Sequence, residues 1–230
     1  MKKVIKGLQR YPKNDANRKS FLLVNEIYKS INGEGPLQGY PVVIVRLMGC
    51  NLRCAYCDTK YAYYKGERIS FNELFKKIRS FKTKYVLITG GEPLCQSSVV
   101  DFCNLLIKKG YEVSLETNGS YPLGEIPQKV LKIVDVKTPD SGFEDSFIEK
   151  NLIYLDRKDC LKFVLSSNKD YLWAKDFLKK HKNLKCEVIF SPVYNKLPLK
   201  KLANWIIKDN LYVKISFQLH KVIWGERRGV

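Results

Sequence analysis

The sequence predicts an α/β fold built on a mainly parallel sheet. Three observations carry that prediction: short runs rich in β-branched and aromatic residues recur along the chain, amphipathic helical patterns separate several of them, and the most unusual local sequences follow directly on the runs. Strand, helix, strand alternation builds right-handed βαβ units, and the ligands of such folds gather at the carboxyl ends of the strands.

The β-rich runs lie at 21–28 (FLLVNEIY), 42–48 (VVIVRLM), 85–89 (YVLIT), 111–117 (YEVSLET), 131–136 (LKIVDV), 161–166 (LKFVLS), 186–190 (CEVIF) and 211–218 (LYVKISFQ). Helical periodicity covers 70–81, 97–110, 170–181 and 199–210, with apolar residues returning every three to four positions. Ser opens the first two helices as a cap, and Gly110 closes the second. A cysteine triplet follows the run at 42–48, TGGEP follows 85–89, ETNG follows 111–115 and DVKTP follows 131–134. No internal repeat or low-complexity tract interrupts the pattern. The expectation is one domain over 21–230, preceded by a polar extension over 1–20.

With 230 residues, 45% hydrophobic and 12% aromatic, the chain can bury a full core. Its apolar runs fall short of the roughly 18 to 20 residues that span a bilayer, and its opening residues lack the apolar stretch of a secretory signal. A cytoplasmic protein is expected. The formal net charge of +18 raises the possibility of nucleic-acid binding, but 32 Lys stand against 9 Arg and are spread along the chain, as in LKKHKNLK at 178–185. That distribution reads as a solvated surface that attracts acidic ligands, with no direct nucleic-acid contact expected.

Seven cysteines are an odd number, and Cys50, Cys54 and Cys57 lie within eight residues as Cys-x3-Cys-x2-Cys. A disulfide framework does not look like this. Cys95, Cys103, Cys160 and Cys186 read as small buried hydrophobes. Zinc is the plain reading of clustered cysteines, yet structural zinc is closed by four ligands, and His181 and His220 stand in no pair with a nearby Cys. An iron-sulfur cluster held by three thiolates keeps one iron open for chemistry.

The triplet on the loop after an early strand, with Tyr56 just before the third Cys, resembles the signature of the radical S-adenosylmethionine superfamily. The resemblance implies a 4Fe-4S cluster bound by Cys50, Cys54 and Cys57, and S-adenosyl-L-methionine chelated to the fourth iron and cleaved to a 5′-deoxyadenosyl radical. GGEP (Gly90, Gly91, Glu92 and Pro93) resembles the element that receives the methionyl amino group; its glycines let backbone approach a ligand, and a carboxylate accepts from an ammonium.

Within the superfamily, SINGEGPLQGYPVVIVRLMGCNLRCAYCDTKYA (30–62) is similar to the 7-carboxy-7-deazaguanine synthases. LETNGS, DVKTP, LKFVL and the terminal QLHKVIWGERRGV extend that similarity from about residue 22 to the end. It implies an incomplete, abridged βα barrel. It also implies a lyase that contracts 6-carboxy-5,6,7,8-tetrahydropterin to 7-carboxy-7-deazaguanine with loss of ammonia, on the route to queuosine and other 7-deazapurines. Mg2+, an external electron donor and a homodimer belong to the same expectation.

Carried over by residue, Tyr56 and Asp58 flank the cofactor, Gly119 meets it, and Glu92, Lys137 and Ser166 are further cofactor positions. The Thr59 hydroxyl is the protein ligand of magnesium, with a local turn hydrogen bond as the alternative. Ile31, Asn32 and Gly33 match the substrate-contacting turn, where Asn32 replaces a commoner Gln. Thr117 meets the pterin. Arg46 matches a substrate-binding Arg, whose fork suits a carboxylate; a structural salt bridge is the alternative for an Arg inside an apolar strand. The tail is expected to close over the substrate, with Val230 as a contact. Two other readings remain: a glycyl-radical-enzyme activating enzyme, which the INGEG turn and the tail disfavour, and a basic RNA-binding protein with a structural metal.

Overall fold

The computed structural model describes residues 20–230; of the polar extension, residues 1–19 lie outside the described residues. The chain runs β1 (Phe21–Ile31), β2 (Pro41–Leu47), β3 (Glu67–Ser70), α1 (Phe71–Ser80), β4 (Tyr85–Gly90), α2 (Val99–Lys108), β5 (Glu112–Thr117), β6 (Leu131–Val136), β7 (Cys160–Leu165), α3 (Asn168–Lys180), β8 (Glu187–Pro192), α4 (Leu199–Lys208), β9 (Lys214–Ile215) and α5 (Leu219–Trp224). The strands form one nine-stranded sheet in the order β3-β1-β2-β4-β5-β6-β7-β8-β9. From β2 to β9 every pairing is parallel. At the start β1 pairs antiparallel with both β2 and β3. The sheet ends at β3 and β9 without closing, so the barrel is incomplete, as the family resemblance implies.

Side chains alternate across a strand, and here the two faces differ in chemistry. One row, with Val43, Val45 and Leu47 of β2, Val86 and Ile88 of β4, Val134 and Val136 of β6, and Leu161, Phe163 and Leu165 of β7, packs in the main core with helix residues such as Leu74, Phe102 and Ala174. The opposite row is apolar at its base, where Val42, Ile44, Leu87, Ile133, Cys160 and Ile189 form a second cluster. Toward the carboxyl ends that same row continues as Arg46, Thr89, Glu116, Asp135 and Lys162, all facing a cavity. Arg46 is in register with Thr89, and Asp135 with Lys162.

The helices start where the sequence allows. Ser70 and Glu73 make a reciprocal capping box on α1. Ser98 precedes α2 without a side-chain cap bond, so there the cap expectation differs from what is seen. Gly110, at φ +84°, ends the connection from α2 to β5. Cys103 and Cys160 are core residues, whereas Cys95 and Cys186 are only half-buried.

Two strands depart from the sequence pattern. β3 pairs with β1 over Phe21–Val24, and the polar ERIS stretch shows no apolar run to announce it. The run at 211–218 gives only two strand residues, because Leu211 N–H is spent on Ile206 O closing α4 and Phe217 O accepts from Gln38 Nε2 as the chain turns into the tail. In agreement with the lack of helical periodicity there, no α-helix joins β5 to β6, where the chain crosses as a loop, or β6 to β7, where the loop carries short 3-10 turns.

Candidate active site

The loop after β2 carries the three cysteines and is anchored mainly by backbone. Met48 N–H donates to Leu23 O (2.9 Å), Gly49 N–H to Ala62 O (2.9 Å) and Ala55 N–H to Ser141 O (3.1 Å). Gln96 donates through Nε2 to Leu23 O and Met48 O, both at 3.0 Å, and Arg53 donates through Nη1 to Cys50 O and Leu52 O, both at 2.8 Å. Cys50 and Cys54 are buried, Cys57 is half-buried, and all three line one cavity of about 490 Å³.

The glycine turn after β4 presses onto this loop. Gly91 N–H donates to Leu47 O (3.2 Å) and Glu92 N–H to Gly49 O (2.7 Å). A Cβ on Gly91 would collide with Gly49 O and lie 2.7 Å from Cys50 Cβ; one on Gly90, at φ +155°, would strike Leu47 O. Both glycines therefore permit a close backbone approach beside Cys50. Burial pushes the Cys50 thiol up to about 12, against the Leu52 N–H that favours the thiolate. Burial also raises Cys54, while Lys137 works the other way. Metal binding to such thiols displaces protons.

Glu92 departs from its expected place. It is wholly buried off the cavity wall, and its carboxylate accepts from Leu94 N–H (2.9 Å), Thr117 Oγ1 (2.8 Å) and Asn118 N–H (2.6 Å). Burial pushes the Glu92 carboxyl up to about 7 despite those donors. Glu92 thus braces β5 against the glycine turn. Gly119, Ser166 and Ile31 also stand off the wall. Gly119, at φ +71°, packs where a Cβ would meet Phe147 and Val134. Ser166 Oγ donates within an Asp140–Asp170 network, at 2.9 Å to each.

The other expected residues line the cavity: Asn32, Gly33, Arg46, Tyr56, Asp58, Thr59, Gly90, Gly91, Thr117, Lys137 and Val230. Tyr56 OH donates to Val164 O (3.1 Å) beside Thr138. Thr59 Oγ1 donates to Asp58 Oδ1 at 2.8 Å, the local turn bond weighed above. Asp58 also accepts from Gln218 (2.9 Å) and Lys221 (3.2 Å). Burial opposes its charge, but those donors hold its carboxyl well below the usual carboxylate range. Arg46 does make a salt bridge, Nε to Glu26 Oε1 at 2.7 Å, and a longer bond to Tyr28 OH at 3.2 Å. The salt bridge uses one edge of its guanidinium while the residue still faces the cavity.

The floor holds charges that, apart from Lys137, were given no role although they lie within the matched stretches INGEG, LETNGS, DVKTP and LKFVL. Lys162, 4% exposed, pairs with Glu34 Oε2 (2.7 Å) and Glu116 Oε1 (2.5 Å), and Lys137 pairs with Asp135 Oδ2 (2.8 Å). Burial opposes the Lys162 charge, but Glu116, Glu34 and Asp135 overcome it and hold the ammonium well above the ordinary lysine range. Besides those matches, the signal was a charge inside a largely apolar strand: Lys162 in CLKFVL, Glu116 in EVSLET and Asp135 in LKIVDV.

The tail closes one side. Leu219 N–H donates to Gly33 O (3.0 Å), His220 packs where a Gly33 Cβ would stand, and Ser30 Oγ donates to Val230 O. Burial is the largest influence on His220 and lowers its pKa.

Residues 44–188 match the model of the Radical SAM superfamily. The 7-carboxy-7-deazaguanine synthase of Koribacter versatilis is 42% identical over 90% of this chain and 99% of that protein. That of Chlorobaculum tepidum is 38% identical over 91% and 97%. The chain belongs to the 7-carboxy-7-deazaguanine synthase family. Among solved structures, QueE from Escherichia coli superposes with a TM-score of 0.72 at 24% identity, covering 86% of this chain and 94% of that one; it supports the radical SAM type of fold. The RNA-binding and activating-enzyme readings give way to membership of the 7-carboxy-7-deazaguanine synthase family.

Among the described residues, no three His, Cys, Asp or Glu side chains converge as they would on a single ion. Three cysteines on one cavity wall, two buried and one half-buried, fit the 4Fe-4S cluster of the 7-carboxy-7-deazaguanine synthase family, and the two glycines beside Cys50 fit a cofactor that needs exposed backbone.

Proposed function

We propose that this cavity is where the chain contracts 6-carboxy-5,6,7,8-tetrahydropterin to 7-carboxy-7-deazaguanine with loss of ammonia, as a carbon-nitrogen lyase in queuosine and 7-deazapurine biosynthesis. One observation carries the reading: Cys50, Cys54, Cys57, Arg46 and the C-terminal Val230 all line a single cavity of about 490 Å³, a size suited to small molecules. Cys50, Cys54 and Cys57 hold the cluster, and Gly90, Gly91, Tyr56, Asp58 and Lys137 surround S-adenosyl-L-methionine. Bound together, cluster and cofactor supply the radical that starts the reaction.

The chain's own residues bind and orient. Arg46, fixed by Glu26, offers its remaining N–H groups to the pterin carboxylate. Asn32 Nδ2 is buried without a partner, a donor that a pterin oxygen or nitrogen satisfies, and Thr117 closes the neighbouring wall. Lys162 keeps Glu34 and Glu116 apart and oriented. The tail, with His220 and Val230, excludes water. Glu92, Gly119, Ser166 and Ile31 support the wall from behind. Thr59 serves magnesium once its hydroxyl turns from Asp58. A second copy of the chain and an external electron donor complete the proposal. Among the described residues no helix is long and apolar enough to cross a membrane, in keeping with a cytoplasmic site of action.

The test is an anaerobic reaction of reconstituted protein, reductant, S-adenosyl-L-methionine, magnesium and the tetrahydropterin, followed by mass spectrometry. Product at the mass of 7-carboxy-7-deazaguanine is expected. Formation of 5′-deoxyadenosine alone would overturn the substrate assignment and leave the radical machinery standing.

A further inference from the structure

Among the described residues, two side chains on the cavity wall carry a buried polar atom with no hydrogen-bond partner: Asn32 Nδ2 and Asp135 Oδ1. One is a donor and the other an acceptor. Asp135 is 9% exposed, and its two oxygens are unequal. Oδ2 accepts from Lys137 Nζ at 2.8 Å and lies 4.0 Å from Lys162 Nζ, whereas Oδ1 accepts nothing. A carboxylate oxygen buried without a partner is costly, so in a cavity wall it marks a place for a ligand's N–H or O–H. Lys137 fixes the orientation of the carboxylate and leaves that one oxygen for the ligand.

The chemistry of the proposed substrate offers a matching donor. A tetrahydropterin carries hydrogen on both nitrogens of its reduced ring. In the aromatic pterin the same nitrogens present lone pairs, which a carboxylate repels. Glu116 and Glu34 line the same cavity, each paired with Lys162, so Asp135 Oδ1 is the wall's buried unpaired carboxylate oxygen among the described residues. We propose that Asp135 reads the oxidation state of the pterin ring, accepting through Oδ1 an N–H that the tetrahydro form carries and the aromatic form lacks. Discrimination of this kind works by attraction to one ligand and repulsion of the other. It rests on the reading of the cavity given above and adds a specificity residue to it.

The test compares binding of 6-carboxytetrahydropterin and 6-carboxypterin to the anaerobic, cluster-loaded full chain, with S-adenosyl-L-methionine present and no reductant. Wild-type protein is expected to prefer the reduced ring. In Asp135→Asn the preference falls by about ten- to a hundredfold, because an amide N–H now meets the donor and can serve the aromatic lone pair. Asp135→Ala loses affinity for the reduced ring and, with the carboxylate's repulsion removed, binds the oxidised ring no worse than wild type. An unchanged ratio in a variant with wild-type iron content overturns the proposal, and weaker S-adenosyl-L-methionine binding with an unchanged ratio reassigns Asp135 to the cofactor. Should neither variant hold its cluster, the wild type decides, since equal affinity for the two rings also overturns the proposal. Wild-type turnover with an unchanged variant ratio sinks this inference alone; a wild type that binds neither ring sinks the cavity reading with it.

Discussion

The two ends of the cavity are built by opposite means. At the cluster end, residues 48–59 and the turn at 90–92 interlock through main-chain bonds such as Glu92 N–H to Gly49 O, and side chains larger than hydrogen do not fit at Gly90 or Gly91. At the floor most of the charges stand on strands, and what is specific is the side-chain pairing: Arg46 on Glu26, and Lys162 between Glu34 and Glu116. The comparison teaches that the first end depends on shape and the second on charge placed in a low-dielectric wall. Each end should therefore fail in its own way.

The largest effect is expected from Cys54→Ala. Losing one thiolate should abolish stable cluster binding and 5′-deoxyadenosine formation, read by iron and sulfide analysis beside the cleavage assay. A variant that cleaved the cofactor at the wild-type rate would break the ligand assignment. Gly91→Ala comes next. Its Cβ meets Gly49 O and Cys50 Cβ, so a loss of about 1–3 kcal/mol in stability is expected together with lower cluster content. Gly110→Ala, where nothing lies within 4 Å, should leave cluster content unchanged. Equal iron in the two variants would show that the glycine turn does not shape the cluster end.

Glu92 sharpens the comparison through pH. Its carboxyl titrates near 4.5 when unfolded and is pushed up to about 7 by burial. Between those values the folded chain holds a proton that the unfolded chain has lost, so stability falls as pH rises from 4.5 to 7 and this contribution levels off above 7. Denaturation of the cluster-free chain across that window should show the fall, and Glu92→Gln should flatten it. The smallest effect belongs to Lys221→Ala, which removes a partly exposed tie between tail and Asp58. Such pairs contribute about 0.2–1 kcal/mol, and a modest rise in KM at low salt is the measurement. A large loss of kcat would give the tail a bigger part than its contacts support.

The same contrast decides what the sequence could reveal. Cys50, Cys54, Cys57 and Gly90–Gly91 sit at fixed short spacings, and motif reading finds them. Among the described residues, eight of the nine strands and four of the five helices were legible from periodicity: β3 was too polar, β9 kept only two residues of its run because other contacts use both ends, and α5 showed no periodicity. The floor is assembled from β1, β2, β5, β6 and β7, so Lys162 and Glu116 become neighbours only once the sheet order is known. Glu92 shows the opposite limit. Its motif was visible, but not that its carboxylate would be spent on Leu94, Thr117 and Asn118.

The central claim is that cofactor cleavage and pterin binding occupy separable ends of one cavity. Arg46→Ala tests it most directly, with 5′-deoxyadenosine and 7-carboxy-7-deazaguanine measured in the same anaerobic reaction. The account predicts wild-type iron content, a loss of about 2–5 kcal/mol in pterin affinity, and 5′-deoxyadenosine still formed while product falls steeply. Product formation at the wild-type level, or loss of both products together in a fully loaded variant, would contradict it.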